Sequence, residues 1–129
     1  MTVLDTHVLI WHLLDDSKLD SSLRKTIVHE PETILVPTIA IWETLLLAQK
    51  GRIEIVAENP GAAIRIWVRA SRFQEVPLTG EIALLSRTLQ FDHDDPADRF
   101  IAATAHSLGA KLATSDERLR GLNWVDLAY

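Results

Sequence analysis

Two patterns of apolar residues alternate along this chain. Short apolar runs predict strands that are buried on both faces, and longer segments with apolar residues every three or four positions predict helices. The predicted strands are Thr2–Leu4, Thr33–Val36, Glu75–Leu78 and Lys111–Thr114, with Asn123–Val125 as a fifth candidate. The predicted helices are Thr6–Leu14, Leu19–His29, Ile39–Gln49, Ala62–Ser71, Glu81–Leu89, Ala97–Leu108 and Asp116–Arg120.

Capping residues support several of these boundaries. Thr38 suits the N-cap of the third helix, and Lys50 and Gly51 suit its end. Asp95 before Pro96 is a typical helix start, and Gly109 a typical stop. Strands that alternate with helices predict an α/β/α sandwich of three layers around a mostly parallel sheet of four to five strands.

The composition narrows the class of protein. A chain of 129 residues, 47% hydrophobic and 24% charged, predicts one globular domain over residues 1–129. The absence of cysteine excludes disulfides and thiolate metal sites. A strand that starts at residue 2 leaves no room for a signal peptide, and the apolar run Ile39–Ala48 is too short to span a bilayer. We therefore expect a cytoplasmic protein that does not contact a membrane.

Four acidic residues stand out by their position after predicted strands. Asp5 follows the first strand, Glu43 interrupts an apolar helix after the second, Asp98 lies in the first turn of the helix after Pro96, and Asp116 follows the fourth strand. Segments after parallel strands begin at the same edge of the sheet, so the four carboxylates can converge there. Such carboxylates repel one another unless a cation such as Mg²⁺ or Mn²⁺ binds between them.

Each acid also has a structural interpretation. Asp5, Asp98 and Asp116 all stand where an acid caps a helix or interacts with its dipole. Glu43 is harder to explain in this way, because apolar residues cover most of the circumference of its helix. The net charge of −5 argues against general binding of polyanions, although cations bound among clustered acids would reverse the local field.

The motifs around these acids resemble a known family. The segments Val3–Trp11, Trp42-Glu43, Asp95–Ala105 and Ala113–Asp116 are similar to the four acidic motifs of PIN-domain ribonucleases, and the length resembles the VapC-type toxins of type II toxin–antitoxin systems. The resemblance implies an endoribonuclease that depends on Mg²⁺ or Mn²⁺, forms a homodimer and is inhibited by a VapB-like antitoxin. It also implies that Asp5, Glu43, Asp98 and Asp116 are catalytic, with Asp5 and Asp98 as principal metal ligands and Glu43 and Asp116 as supporting ligands.

Other polar and aromatic residues receive weaker assignments. Thr6 and Arg99 are candidate substrate-binding residues. Thr6 can instead hydrogen-bond a metal-bound water or act only as a cap, and Arg99 can offset the acidic cluster, bind the antitoxin or lie in a surface salt bridge. We interpret His93 as part of a solvated acidic loop and Trp11, Trp42 and Trp67 as core residues.

Two alternatives to the nuclease remain open. The first is a phosphoryl-transfer or receiver-type domain with an acidic pocket, although His7 stands where an aspartyl phosphatase usually has a second Asp. The second is a non-catalytic binding module with the PIN fold, which missing acids would favour.

Overall fold

A sheet of parallel strands forms the centre of the molecule. The computed structural model describes the whole chain, residues 1–129. Its strands are β1 (Thr2–Leu4), β2 (Ile34–Pro37), β3 (Gln74–Val76) and β4 (Lys111–Ala113). They lie in the order β3-β2-β1-β4, and every neighbouring pair is parallel. All four strands therefore end at the same edge of the sheet.

Seven helices connect and cover these strands. Their bounds are α1 (Thr6–Leu13), α2 (Ser21–His29), α3 (Thr38–Gln49), α4 (Pro60–Ala70), α5 (Gly80–Thr88), α6 (Pro96–Leu108) and α7 (Glu117–Arg120), with a 3₁₀ turn at Pro31–Thr33. None of them combines the length and the apolar character that crossing a membrane requires.

The core lies on both faces of the sheet. Consecutive residues of β2 from Ile34 to Val36 are all buried. Successive side chains of a strand point to opposite faces, so both faces must be covered. The α/β/α sandwich predicted from the sequence is thus confirmed.

Helix α6 packs most closely against the centre of the sheet. Ala102 and Ala105 belong to the main core cluster, and the helix contacts both β1 and β4. The small alanine side chains allow this close approach. The helix ends at Gly109, whose φ of 60° is the left-handed conformation that glycine adopts at little cost.

Three predictions about elements and burial are wrong. Residues 123–125 form no strand; only an isolated bridge joins Leu112 to Leu127. Thr38 is the first residue of α3 rather than its N-cap, and its hydroxyl donates to the Val76 carbonyl. Trp42 is 56% exposed and is not a core residue, because α3 buries its other side.

Candidate metal and catalytic site

The four acids singled out in the sequence lie around one pocket. The cavity has a volume of about 270 Å³, and its lining residues are Asp5, His7, Glu43, Asp95, Asp98, Ser115, Asp116 and Arg118. No lining residue is hydrophobic. Asp5 directly follows β1, and Asp116 follows β4 after Thr114 and Ser115, so the pocket opens at the carboxyl edge of the sheet. Asp98, on the first turn of α6, lines the same pocket.

Asp5 forms the floor of the pocket. Its Oδ1 accepts a hydrogen bond of 2.8 Å from the Thr6 backbone N–H, and its Oδ2 accepts one of 2.6 Å from the Thr114 hydroxyl. Asp5 is therefore both the N-cap of α1 and a pocket residue. Burial raises the pKa of this carboxyl, and the hydrogen bonds from Thr114 and Thr6 only partly offset that effect.

Thr114 connects two of the acids. Besides donating to Asp5, its Oγ1 accepts a hydrogen bond of 3.0 Å from the Asp116 backbone N–H. Because β1 and β4 are neighbours in the sheet, this one hydroxyl fixes the carboxylate after β1 relative to the segment after β4.

Asp98 lies on the first turn of α6, opposite Asp5. Asp95 is the N-cap of this helix, and its Oδ1 accepts from the Asp98 N–H at 3.2 Å. Burial and the negative charge of Asp5 raise the pKa of Asp98 to about 6. Its Oδ2 lies 3.0 Å from His93 Nε2 and 3.5 Å from Arg118 Nη2.

Asp116 is the N-cap of α7. Its Oδ1 accepts from the Arg118 N–H at 2.9 Å, and its Oδ2 pairs with Arg118 Nη2 at 3.1 Å. Burial alone would raise the pKa of Asp116, but the hydrogen bonds and charge of Arg118 hold it below the usual value. Arg118 thus places a positive charge between Asp98 and Asp116, where a bound cation would also be attracted.

Glu43 points toward the other acids from the middle of α3. It is half-buried, and burial together with the charges of Asp95 and Asp5 raises its pKa, although the nearby Thr6 side chain partly offsets this. The Thr6 hydroxyl is buried, and no protein atom completes a hydrogen bond with it. This hydroxyl is close enough to Glu43 to lower the pKa of that carboxyl, and it is closed to solvent.

Arg99 does not line the pocket. It is buried, and its guanidinium donates to the carbonyls of Ser86, at 2.7 Å, and His93, at 3.2 Å. It also lies 4.4 Å from the centre of the Phe91 ring. These contacts support a structural role, and the substrate contact predicted from the sequence stays a prediction.

Sequence reasoning missed three residues of this site. His93 was interpreted as solvated, but its side chain is only 11% exposed and contacts Asp98. Arg118 could have been noticed two residues after Asp116 in a short helix, where its side chain can reach back to the cap. The role of Thr114 could not be predicted from the sequence, because it depends on which strands are neighbours in the sheet.

The donor atoms of the pocket suit a divalent cation. Five carboxylates line it, and hard cations prefer oxygen ligands. The ligand atoms of His93, Asp98 and Asp116 all lie within 4.8 Å of one another. The buried Thr6 hydroxyl without a partner adds a further oxygen nearby. This acidic group can bind a metal ion.

Comparisons with known proteins agree with the fold and the motifs. A family model of the PIN domain matches residues 2–125. The chain is similar to Ribonuclease VapC22 of Mycobacterium tuberculosis, with 31% identity over 121 residues that cover 92% of this chain and 88% of that protein.

Solved structures with low sequence identity share the fold. A toxin–antitoxin complex from Klebsiella pneumoniae gives a TM-score of 0.69 at 20% identity and covers 100% of this chain and 98% of its own. VapBC2 from Rickettsia felis, bound to a promoter DNA fragment, gives 0.68 at 15% identity and covers 98% and 96%. Mycobacterium tuberculosis VapC20, a toxin that cleaves the sarcin–ricin loop, gives 0.67 at 13% identity and covers 98% of both chains.

Proposed function

This chain belongs to the PIN-domain family, and we propose that it is a metal-dependent endoribonuclease, the toxin of a toxin–antitoxin pair. The observation that carries the proposal is the convergence of Asp5, Glu43, Asp98 and Asp116 on one pocket. The similarity to Ribonuclease VapC22 supports RNA as the substrate. Neither alternative considered from the sequence is favoured, since all four acids are present and share the pocket.

The carboxylates of the pocket would hold the cation. We assign Asp5 and Asp98 as principal ligands of Mg²⁺ or Mn²⁺ and Glu43 and Asp116 as supporting ligands, direct or through water. A bound divalent cation supplies Lewis-acid activation of the attacking water and neutralises charge on the phosphodiester.

The other residues of the pocket orient the reactants. Thr114 fixes Asp5 relative to Asp116, so both carboxylates are positioned before substrate binds. The Thr6 hydroxyl lies beside Glu43 and can orient that carboxylate. The exposed imidazole of His7 and the guanidinium of Arg118 can donate hydrogen bonds to phosphate oxygens at the mouth of the pocket.

We further propose that a VapB-like antitoxin binds this protein and that the protein forms a homodimer. The structural neighbours include a toxin–antitoxin complex and VapBC2, which support such a partner. Large apolar side chains are exposed on three helices, namely Trp42 on α3, Ile66 on α4 and Leu84 on α5. We propose these exposed side chains as candidates for the two interfaces.

An RNA cleavage assay tests the proposed activity. We expect cleavage with Mg²⁺ or Mn²⁺ and none with EDTA. Asp5→Asn or Asp98→Asn should lower the rate at least about 100-fold, because each removes a charged ligand that stabilises the transition state. Glu58→Gln, which removes an exposed acid outside the pocket, should cleave like the wild type. Cleavage that survives EDTA and both Asp variants would refute the proposal.

A further inference from the structure

The loop between α5 and α6 places a histidine against Asp98, beside the acidic pocket. The His93 ring is 11% exposed, and its Nε2 lies 3.0 Å from Asp98 Oδ2. The buried Arg99 holds this loop, because its guanidinium donates to the carbonyl of His93 itself and to that of Ser86 in α5. The contacts of the buried Arg99 therefore hold the loop that carries the ring.

The geometry of the ring suits ligation of a cation. Two neighbouring ligands of an octahedral ion, each about 2.1 Å from the metal, lie about 3.0 Å apart. The His93 and Asp98 atoms, which share a hydrogen bond in the metal-free protein, have this separation, and an Asp116 oxygen completes a group within 4.8 Å. The guanidinium of Arg118, 55% exposed, contacts both acids and can move into solvent when a cation binds.

The two ring nitrogens of His93 lie in different surroundings. Its Nδ1 is buried and has no hydrogen-bond partner in the chain, so only one ring nitrogen is held, and that by an acid of the site. Ligation of a cation through Nε2 would leave the ring proton on this buried Nδ1. The contact with Asp98 Oδ2 is the one side-chain hydrogen bond that the ring itself makes.

We propose that His93 is a nitrogen ligand of the metal ion, together with Asp98 and Asp116, and that this site prefers transition-metal ions such as Mn²⁺ and Co²⁺ over Mg²⁺. The inference rests on the proposed function, since it requires a divalent cation in this pocket. Imidazole suits transition metals, whereas Mg²⁺ selects oxygen ligands and keeps several waters. A nitrogen ligand thus strengthens binding of the former and adds little for the latter.

Titration calorimetry of the full chain with Mn²⁺ and with Mg²⁺, without RNA, tests this inference. In His93→Gln we expect the Kd for Mn²⁺ to rise at least about tenfold, because a direct ligand is lost. The Kd for Mg²⁺ should change less than about threefold. The matched control His29→Gln removes an exposed histidine at the end of α2 and should change neither Kd.

A spectroscopic measurement on the wild type tests the same ligand without requiring that a variant folds. Pulsed EPR of bound Mn²⁺ should detect coupling to a ¹⁴N nucleus, and His93→Gln should lose it. If His93→Gln weakened the binding of Mn²⁺ and Mg²⁺ equally and the wild type showed no nitrogen coupling, His93 would only position Asp98. If neither Kd changed, His93 would not belong to the site. Either result would overturn the proposal. Failure of the wild type to bind either ion would instead refute the metal-dependent function as a whole.

Discussion

Asp98 is a buried residue that shares its pocket with several other carboxylates. Burial and the charge of Asp5 raise its pKa from 3.8 to about 6. The native protein therefore binds a proton at Asp98 more tightly than the unfolded chain does. A raised acid pKa favours the folded state at low pH, and this contribution is lost as the pH rises from about 4 through about 6. The raised pKa of Asp5 acts in the same direction.

Neutralising Asp98 should consequently stabilise the metal-free protein. In EDTA at pH 7.5, we expect Asp98→Asn to raise the free energy of unfolding by about 1–2 kcal/mol, since a shift of one pKa unit corresponds to about 1.4 kcal/mol and the pocket is partly open to water. At pH 4 the difference between variant and wild type should shrink. Urea denaturation at both pH values measures it. A variant that is less stable than the wild type at pH 7.5 would contradict this account of the pocket.

Among the elements, the unit formed by α5, the following loop and α6 depends on one buried side chain. Arg99 links all three parts through the carbonyls of Ser86 and His93. Its removal would leave both acceptors without this donor. Arg87 reaches the same Asp94 carboxylate as Arg99, but from an exposed position, with 67% of its side chain accessible.

This pair of arginines gives a matched comparison. We expect Arg99→Ala to lower the free energy of unfolding by about 2–3 kcal/mol, because buried acceptors lose their hydrogen bonds. Arg87→Ala should cost less than about 0.5 kcal/mol, as an exposed ion pair contributes little. Thermal or urea denaturation distinguishes the two. Similar losses in both variants would show that Arg99 does not hold the loop.

The elements also show what the sequence could predict. The strand-and-helix alternation and the cap at Asp95-Pro96 depend on local chemistry, so β1, β2, β4 and α6 were predicted within one or two residues. Helix α3 is different, because its apolar residues cover nearly every side and their periodicity does not indicate which side faces the core. The exposure of Trp42 could not be read from such a pattern.

At the scale of the whole molecule, the site depends on the order of strands in the sheet. The resemblance of the four acidic motifs to the PIN-domain family is confirmed, and the motifs indicated which acids meet. Other contacts of the site depend on tertiary structure. Thr114 reaches Asp5 because β4 and β1 are neighbours in the strand order β3-β2-β1-β4, and His93 reaches Asp98 because of how its loop packs. No local pattern encodes the strand order or the loop packing, so Thr114 and His93 were missed. Arg118 lies two residues after Asp116, and its contact with that acid could have been predicted locally.

A cation that binds this pocket would connect segments from both ends of the chain. Asp5 follows β1, Asp116 follows β4, and only the folded protein brings them together. An ion that binds the native state alone stabilises it by about 2.7 kcal/mol at a concentration of 100 times its Kd. For a domain of this size we expect the Tm to rise by about 10 °C.

Calorimetric scans over a series of Mn²⁺ concentrations measure the shift, which should vanish in the double variant Asp5→Asn/Asp98→Asn and persist in Glu58→Gln. A Tm that does not respond to the ion in the wild type, or that rises equally in the double variant, would mean that these carboxylates do not share a cation.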